Sequence, residues 1–384
     1  MAIYLDHAST TPVKPEVATA MQPFYTDLAT MGNPSSAHFA GRIPAKLIAG
    51  IREDAAEFFM CKPEEVIFNS GGSEGDTQAL LGTAFMLDRP VHAAISAIEH
   101  EAVQESAKLL NQLGHRITVL PVTGDGEVPV ESVEKLIRED RPDLISVMAV
   151  NNETGVVQPV RAMAALCRQE NVIFHTDAVR AAGHGLEDIM TDPNINLLNI
   201  TAHKFGGPRG SGAMVQRRFR LPQLIRGGAQ EQGSRAGTEN LAGMAGLVKA
   251  LELATKDEAV EIEALRRHLE YELVTKVPGC EIHGKRARRA TYITSVSFKP
   301  RSGPRLQEEL DNMGIAVGTG SACHDDGGIS ISPVLSAMGV EEFLARGTLR
   351  ISLGWNSTEE DVNIFMEKLI ELLDSSDDSL NCQI

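Results

Sequence analysis

The chain has 384 residues and a formal net charge of −16, with 36 Lys and Arg against 52 Asp and Glu. Its 42% hydrophobic and 23% charged content is that of a globular protein, and the acidic balance argues against bulk binding to nucleic acid or to an anionic membrane. No apolar run approaches the roughly 20 residues that span a bilayer. The five cysteines, Cys61, Cys167, Cys280, Cys323 and Cys382, are too scattered for a disulfide framework, and the N-terminus Met1–Asp6 has no leader pattern. We therefore expect a reducing, cytoplasmic setting.

Residues 40–220 alternate helical and strand-like patterns. Residues 44–60 read as a helix, Glu65–Phe68 as a short strand and 73–87 as a helix. Next come a strand at 91–96, a helix at 101–113, a strand at Ile117–Pro121, a helix near 130–139 and a strand at Leu144–Val150. Val172–His175 and Leu197–Thr201 are further strands. Alternation of this kind predicts an α/β fold with a mainly parallel sheet flanked by helices. Residues 238–275 read as one long helix, or two joined near Lys256-Asp257. Beyond them, strands at Tyr292–Phe298 and Thr348–Leu353 and helices at 303–313 and 358–374 predict a smaller α+β unit. We place the large domain at 15–255 and the small one at 1–14 with 256–384.

Four segments have the composition of chemistry. Ser70-Gly71-Gly72-Ser73-Glu74 follows a strand and opens a helix. Small residues there let backbone N–H groups meet an anion such as phosphate, although Gly/Ser turns at such places are common. Asp177 lies just past a buried-type strand, where it could cap the next helix or hold a protonated ring nitrogen such as that of pyridoxal phosphate (PLP). Lys204, in Ala202-His203-Lys204-Phe205-Gly206-Gly207, lies on a loop after a strand, off any amphipathic face. It is either one more solvated lysine or a Schiff-base lysine of lowered pKa, and the cradle and the aspartate favour the second. Cys323 sits in the Gly-rich loop Gly318–Gly328, where a thiol could reach a substrate. The other four cysteines have ordinary contexts. A metal site is not expected: Gln104 breaks the HExxH pattern begun at His100, and there is no CxxC.

In order along nearly the whole chain, further motifs join these four. They include Tyr4-Leu5-Asp6-His7-Ala8-Ser9-Thr10-Thr11-Pro12, Gly32-Asn33-Pro34-Ser35-Ser36, Glu99-His100 and Asn151-Asn152-Glu153-Thr154-Gly155. Later come Arg235-Ala236-Gly237-Thr238-Glu239-Asn240, Gly320-Ser321-Ala322-Cys323 and Arg350-Ile351-Ser352-Leu353-Gly354. The set resembles the cysteine desulfurases of the NifS/IscS type, within the class V, fold-type I PLP-dependent enzymes. The resemblance implies conversion of L-cysteine to L-alanine, with sulfur left on Cys323 as a persulfide for iron–sulfur cluster or other sulfur-containing biomolecule synthesis. Lys204 would carry PLP, Asp177 would pair with its pyridine nitrogen, and His100 would stack on the ring and move protons. Gly72, Ser73, Thr201 and His203 would bind the phosphate. Thr238 would reach the phosphate of a neighbouring subunit, which implies a homodimer. Asn152 would contact cofactor and substrate, Arg350 would hold the substrate carboxylate, and Asn33 would line the substrate site. A sulfur-acceptor protein, such as an iron–sulfur scaffold, would take the product. Other class V chemistry (selenocysteine lyase, C–S lyase, aminotransferase) and a partner-activated role are the alternatives.

The chain also departs from the family pattern. Arg180 stands where the family has a Gln that donates to the phenolic oxygen of PLP; an arginine there would either donate too and favour the phenolate, or point away and lose the contact. Gly71-Gly72-Ser73 replaces Gly-Ala-Thr, His324–Gly328 lengthens the loop after Cys323 by about one residue, and the C-terminus is short and acidic.

Overall fold

A computed structural model describes residues 2–27, 29–299, 301–319 and 331–375. The segment with Cys323 and the tail with Cys382 lie outside the described residues, so the expectations for both concern the sequence alone. Twelve strands are described: β1 (Ile3–Leu5), β2 (Val66–Asn69), β3 (His92–Ser96), β4 (Arg116–Leu120), β5 (Leu144–Ser146), β6 (Ile173–Asp177), β7 (Leu197–Thr201), β8 (Gly212–Gln216), β9 (Glu281–Ile282), β10 (Ile293–Ser297), β11 (Ile315–Thr319) and β12 (Thr348–Ser352). They form two sheets, ordered β2-β8-β7-β6-β5-β3-β4 and β1-β11-β12-β10-β9. No described helix is long and apolar enough to cross a membrane.

The seven-stranded sheet is mainly parallel, as the alternating pattern requires. Only β8 runs against its neighbours β2 and β7. That strand was not legible, because Gly-Ala-Met-Val-Gln is short and follows a Gly-rich turn. β7 is buried throughout and β6 from its second residue on, as expected of strands covered on both faces. The second sheet is mixed. β1 pairs in parallel with β11, setting Ile3 opposite Ile315 and Leu5 opposite Val317, and β12 lies antiparallel to β10 and β11.

Helix boundaries moved for physical reasons. The helix read from residue 44 begins at Phe39, with Pro44 accommodated inside it rather than opening it. The span 238–275 is two helices, Leu241–Leu253 and Lys256–Lys276. Thr255 separates them, and its hydroxyl caps the second by accepting from the Glu258 N–H at 3.2 Å.

One buried ion pair joins the helix Phe39–Phe59 to the loop before Leu241. Arg52 makes a two-pronged contact with Glu231 at 2.9 and 2.7 Å, and Glu231 also accepts from the Phe68 N–H at 2.8 Å. Glu231 takes a left-handed backbone conformation, φ +46°, to reach there.

Candidate active site

The carboxyl ends of the parallel strands converge on one cleft, the usual place for a ligand in an open α/β sheet. Its lining includes Gly72, Ser73, His100, Asn152, Asp177, Arg180, Thr201, His203 and Lys204. Nine of the sequence-derived candidates thus meet in one place. Three do not line it. Asn33 lies in an exposed turn, where its Oδ1 accepts from the Ser35 N–H at 2.9 Å. Thr238 is exposed in the loop before the helix Leu241–Leu253. Arg350, on β12, touches the cleft through Nη1, which donates to the Asn152 carbonyl at 3.0 Å.

β2 ends at Asn69, and a helix begins at Gly72. Gly71 holds φ +145°, a conformation open to glycine, and a Cβ on Gly72 would stand 2.8 Å from Val179 Cγ2. The small residues are therefore required where the N–H groups of a 16-residue helix face the cleft. Such a helix start favours an anion.

Asp177 ends β6. It is buried, and its Oδ1 accepts from the Val179 N–H at 2.9 Å. Burial and the neighbouring Asp76 raise its pKa to about 6. Beneath it lies a network the sequence did not disclose. Asn199 Nδ2 donates to Asp76 Oδ1 at 2.8 Å and lies 2.9 Å from His175 Nε2, while His175 Nδ1 lies 2.8 Å from Ser146 Oγ. Burial raises the Asp76 pKa to about 7 and lowers that of His175 to about 4. The signals were a lone Asp in a buried stretch of helix and a His two residues before Asp177, on the same strand face.

Lys204 follows β7 in a tight turn. Its Nζ donates to the Ala8 carbonyl at 3.2 Å and to the Ser9 carbonyl. Burial, then Arg180 and Arg350, lower its pKa to about 6, which favours the neutral, nucleophilic amine at pH 7. His203, beside it, is pushed to about 4 by burial and by Lys204. Arg180 is 7% exposed, and its Nη1 is buried without a partner among the described residues. His100 stands at the mouth as N-cap of the helix Glu101–Gln112; its Nδ1 accepts from the Ala102 N–H at 3.1 Å. Nδ1, as the acceptor, leaves Nε2 as the nitrogen that bears a proton.

These residues fit PLP. An electropositive helix start suits its phosphate, a buried carboxylate its ring nitrogen, a neutral lysine amine its aldehyde, and the Arg180 N–H left unsatisfied among the described residues offers a donor to one more oxygen.

Comparison with known proteins agrees. Residues 3–365 match the family model described as aminotransferase class-V. The chain is 39% identical over 379 residues to the cysteine desulfurase IscS of Dictyoglomus turgidum, covering 97% of this chain and 95% of that one. A solved NifS-like protein superposes with a TM-score of 0.88 at 34% identity, over 97% of this chain and all of its own. SspA, solved in complex with cysteine, superposes at 0.80 with 30% identity, over 93% of this chain and 100% of its own. The chain belongs to the class V aminotransferase family of PLP-dependent enzymes, in its NifS/IscS-type cysteine desulfurase branch.

Proposed function

We propose that this enzyme transfers the sulfur of L-cysteine to Cys323 as a persulfide and releases L-alanine. The observation that carries the reading is the meeting of Lys204, Asp177 and the Gly72-Ser73 helix start in one cleft. PLP, when bound, supplies an electron sink that acidifies the substrate Cα–H and loosens its Cβ–S bond.

The chain's own residues do the rest. Lys204 Nζ holds the cofactor and, once released, carries protons to and from the substrate carbons. Asp177 stays ionised against a ring nitrogen that carries a proton, and Asp76 takes the proton that two facing carboxylates cannot both lack. His100 stacks on the cofactor ring and takes part in proton exchange through Nε2. Gly72, Ser73, Thr201 and His203 bind the phosphate, Asn152 lines the path to the substrate, and Asn33 approaches from its turn. Arg350 takes the α-carboxylate. The Cys323 thiolate attacks the substrate sulfur; the Cβ–S electron pair stays with carbon, which takes a proton and becomes the alanine methyl group.

The same reading makes the enzyme a cytoplasmic homodimer in which Thr238 serves the neighbouring cleft. Its exposure away from its own cleft supports this. It also divides the chain at about residue 255, with 1–14 joining the second unit. The place of β1 beside β11 and the break at Ala254-Thr255 support that division. The IscS name of relatives supports delivery to an iron–sulfur scaffold. The deciding experiment measures alanine formed from L-cysteine with a reductant present. Wild type makes it and Cys323→Ser does not; alanine that persists in the variant would mean lyase chemistry instead.

A further inference from the structure

The N-terminal turn after β1 contacts both Lys204 and Arg350. Lys204 donates to the carbonyls of Ala8 and Ser9. Arg350 Nη2 donates to Asp6 Oδ1 at 2.9 Å and to Ser9 Oγ at 2.7 Å, and Nη1 donates to the Asn152 carbonyl at 3.0 Å. Arg350 Nε is buried with no partner among the described residues.

A planar guanidinium offers two bidentate faces, the end face Nη1–Nη2 and the side face Nε–Nη2. Both use Nη2, because the side chain's own Cδ blocks the remaining edge. Nη2 is the nitrogen that Asp6 and Ser9 already occupy. A second carboxylate cannot take a two-point hold without displacing one of them, and beside Asp6 it would meet a like charge. The Asp6 side chain is 19% exposed and that of Arg350 9%. Asp6 can therefore be released to water, whereas the guanidinium must keep an anion. The pair is also held from behind. Gly318 lies opposite Arg350 in the β11–β12 pairing, and a Cβ there would stand 2.8 Å from Asp6 Oδ1 and 2.9 Å from Arg350 Nη2.

We propose that Asp6 is a resident carboxylate on Arg350, exchanged for the α-carboxylate of an entering amino acid. As a positioning residue it keeps the guanidinium aimed and neutralised, and the exchange lowers affinity for amino acids that bring a carboxylate. This rests on the reading of Arg350 as the carboxylate anchor.

The test compares L-alanine with ethylamine, which is alanine without its carboxylate, by equilibrium binding to the PLP-loaded enzyme. Asp6→Asn keeps the shape and a hydrogen-bond acceptor while removing the charge; Asp6→Ser is the second variant. The expected result is L-alanine binding tightened by about tenfold in both variants, the order of one charge-assisted hydrogen bond, with ethylamine unmoved. L-alanine bound no more tightly than by wild type overturns the proposal, and so does an equal change for both ligands, which would report a disturbed cleft. Wild type that does not distinguish L-alanine from ethylamine removes Arg350 as the anchor and takes the inference with it. Wild-type discrimination that the variants leave unchanged sinks the inference alone.

Discussion

At the carboxyl ends of β6 and β7 the polar groups are sealed. Asp177, Asp76, His175 and Asn199 are buried and bonded to one another or to backbone, and their protonation is set by the absence of water. On the second sheet, Arg350 faces the cleft through an ion pair with the half-exposed segment at Asp6 and Ser9. The first arrangement fixes a cofactor; the second can change partners. An enzyme that keeps one molecule and turns over another needs both.

The largest expected effect comes from the sealed side. Lys204→Ala should abolish covalent attachment of PLP, removing its visible absorption and cutting alanine formation by about a thousandfold or more. A variant that keeps the wild-type spectrum would remove Lys204 from its role. Asp177→Asn should retain PLP but slow turnover by on the order of a hundredfold, since an amide cannot hold the ring nitrogen protonated. Turnover at the wild-type rate would break the contrast between the two regions.

Stability separates them further. Arg52→Met leaves Glu231 buried without its partner and should cost about 3–5 kcal/mol in denaturant unfolding. Asp6→Asn leaves Arg350 an amide acceptor in place of a partly exposed carboxylate and should cost less, about 1–3 kcal/mol. Equal losses would mean that the second pair is as rigid as the first.

The smallest effect is a pH dependence. His7 and His175 are lowered to about 4 by burial, so stability falls as pH drops below the ordinary histidine value near 6.5. Glu99 and Glu153, raised by burial to about 8 and about 7, hold protons in the folded chain. Their contribution falls as pH rises above the ordinary glutamate value toward those pKa values. With Lys204 covalently engaged in the PLP-loaded enzyme, so that its own titration drops out, the melting temperature should therefore peak between about pH 5 and 6.5. A maximum above pH 8 would contradict the neutral, sealed carboxyls.

Sequence reading found what repeats a period or a motif. The buried runs of β6 and β7 announced a parallel sheet, and Gly72, Asp177 and Lys204 stood at the ends of strands already legible. It did not find β8, whose five residues lack a flanking signal, nor the break at Ala254-Thr255 to the residue. The Asp76–Asn199–His175 network was hidden because its members come from a helix and two strands, and only the fold brings them together. Asp6 and Ser9 were visible as a motif without a task, since their partner Arg350 lies more than 340 residues away.

The pairing of β1 with β11 also bears on how the chain is made. Residues 3–5 leave the ribosome about 310 residues ahead of their neighbours at 315–317. The seven-stranded sheet is finished at Gln216, so it can collapse while synthesis continues. The opening strand must wait, with Leu5 destined for full burial but still uncovered. A ribosome-stalled chain ending before β11 should thus be open to proteolysis around residues 3–5 while the seven-stranded sheet resists, and that sensitivity should be lost once β11 is made and released.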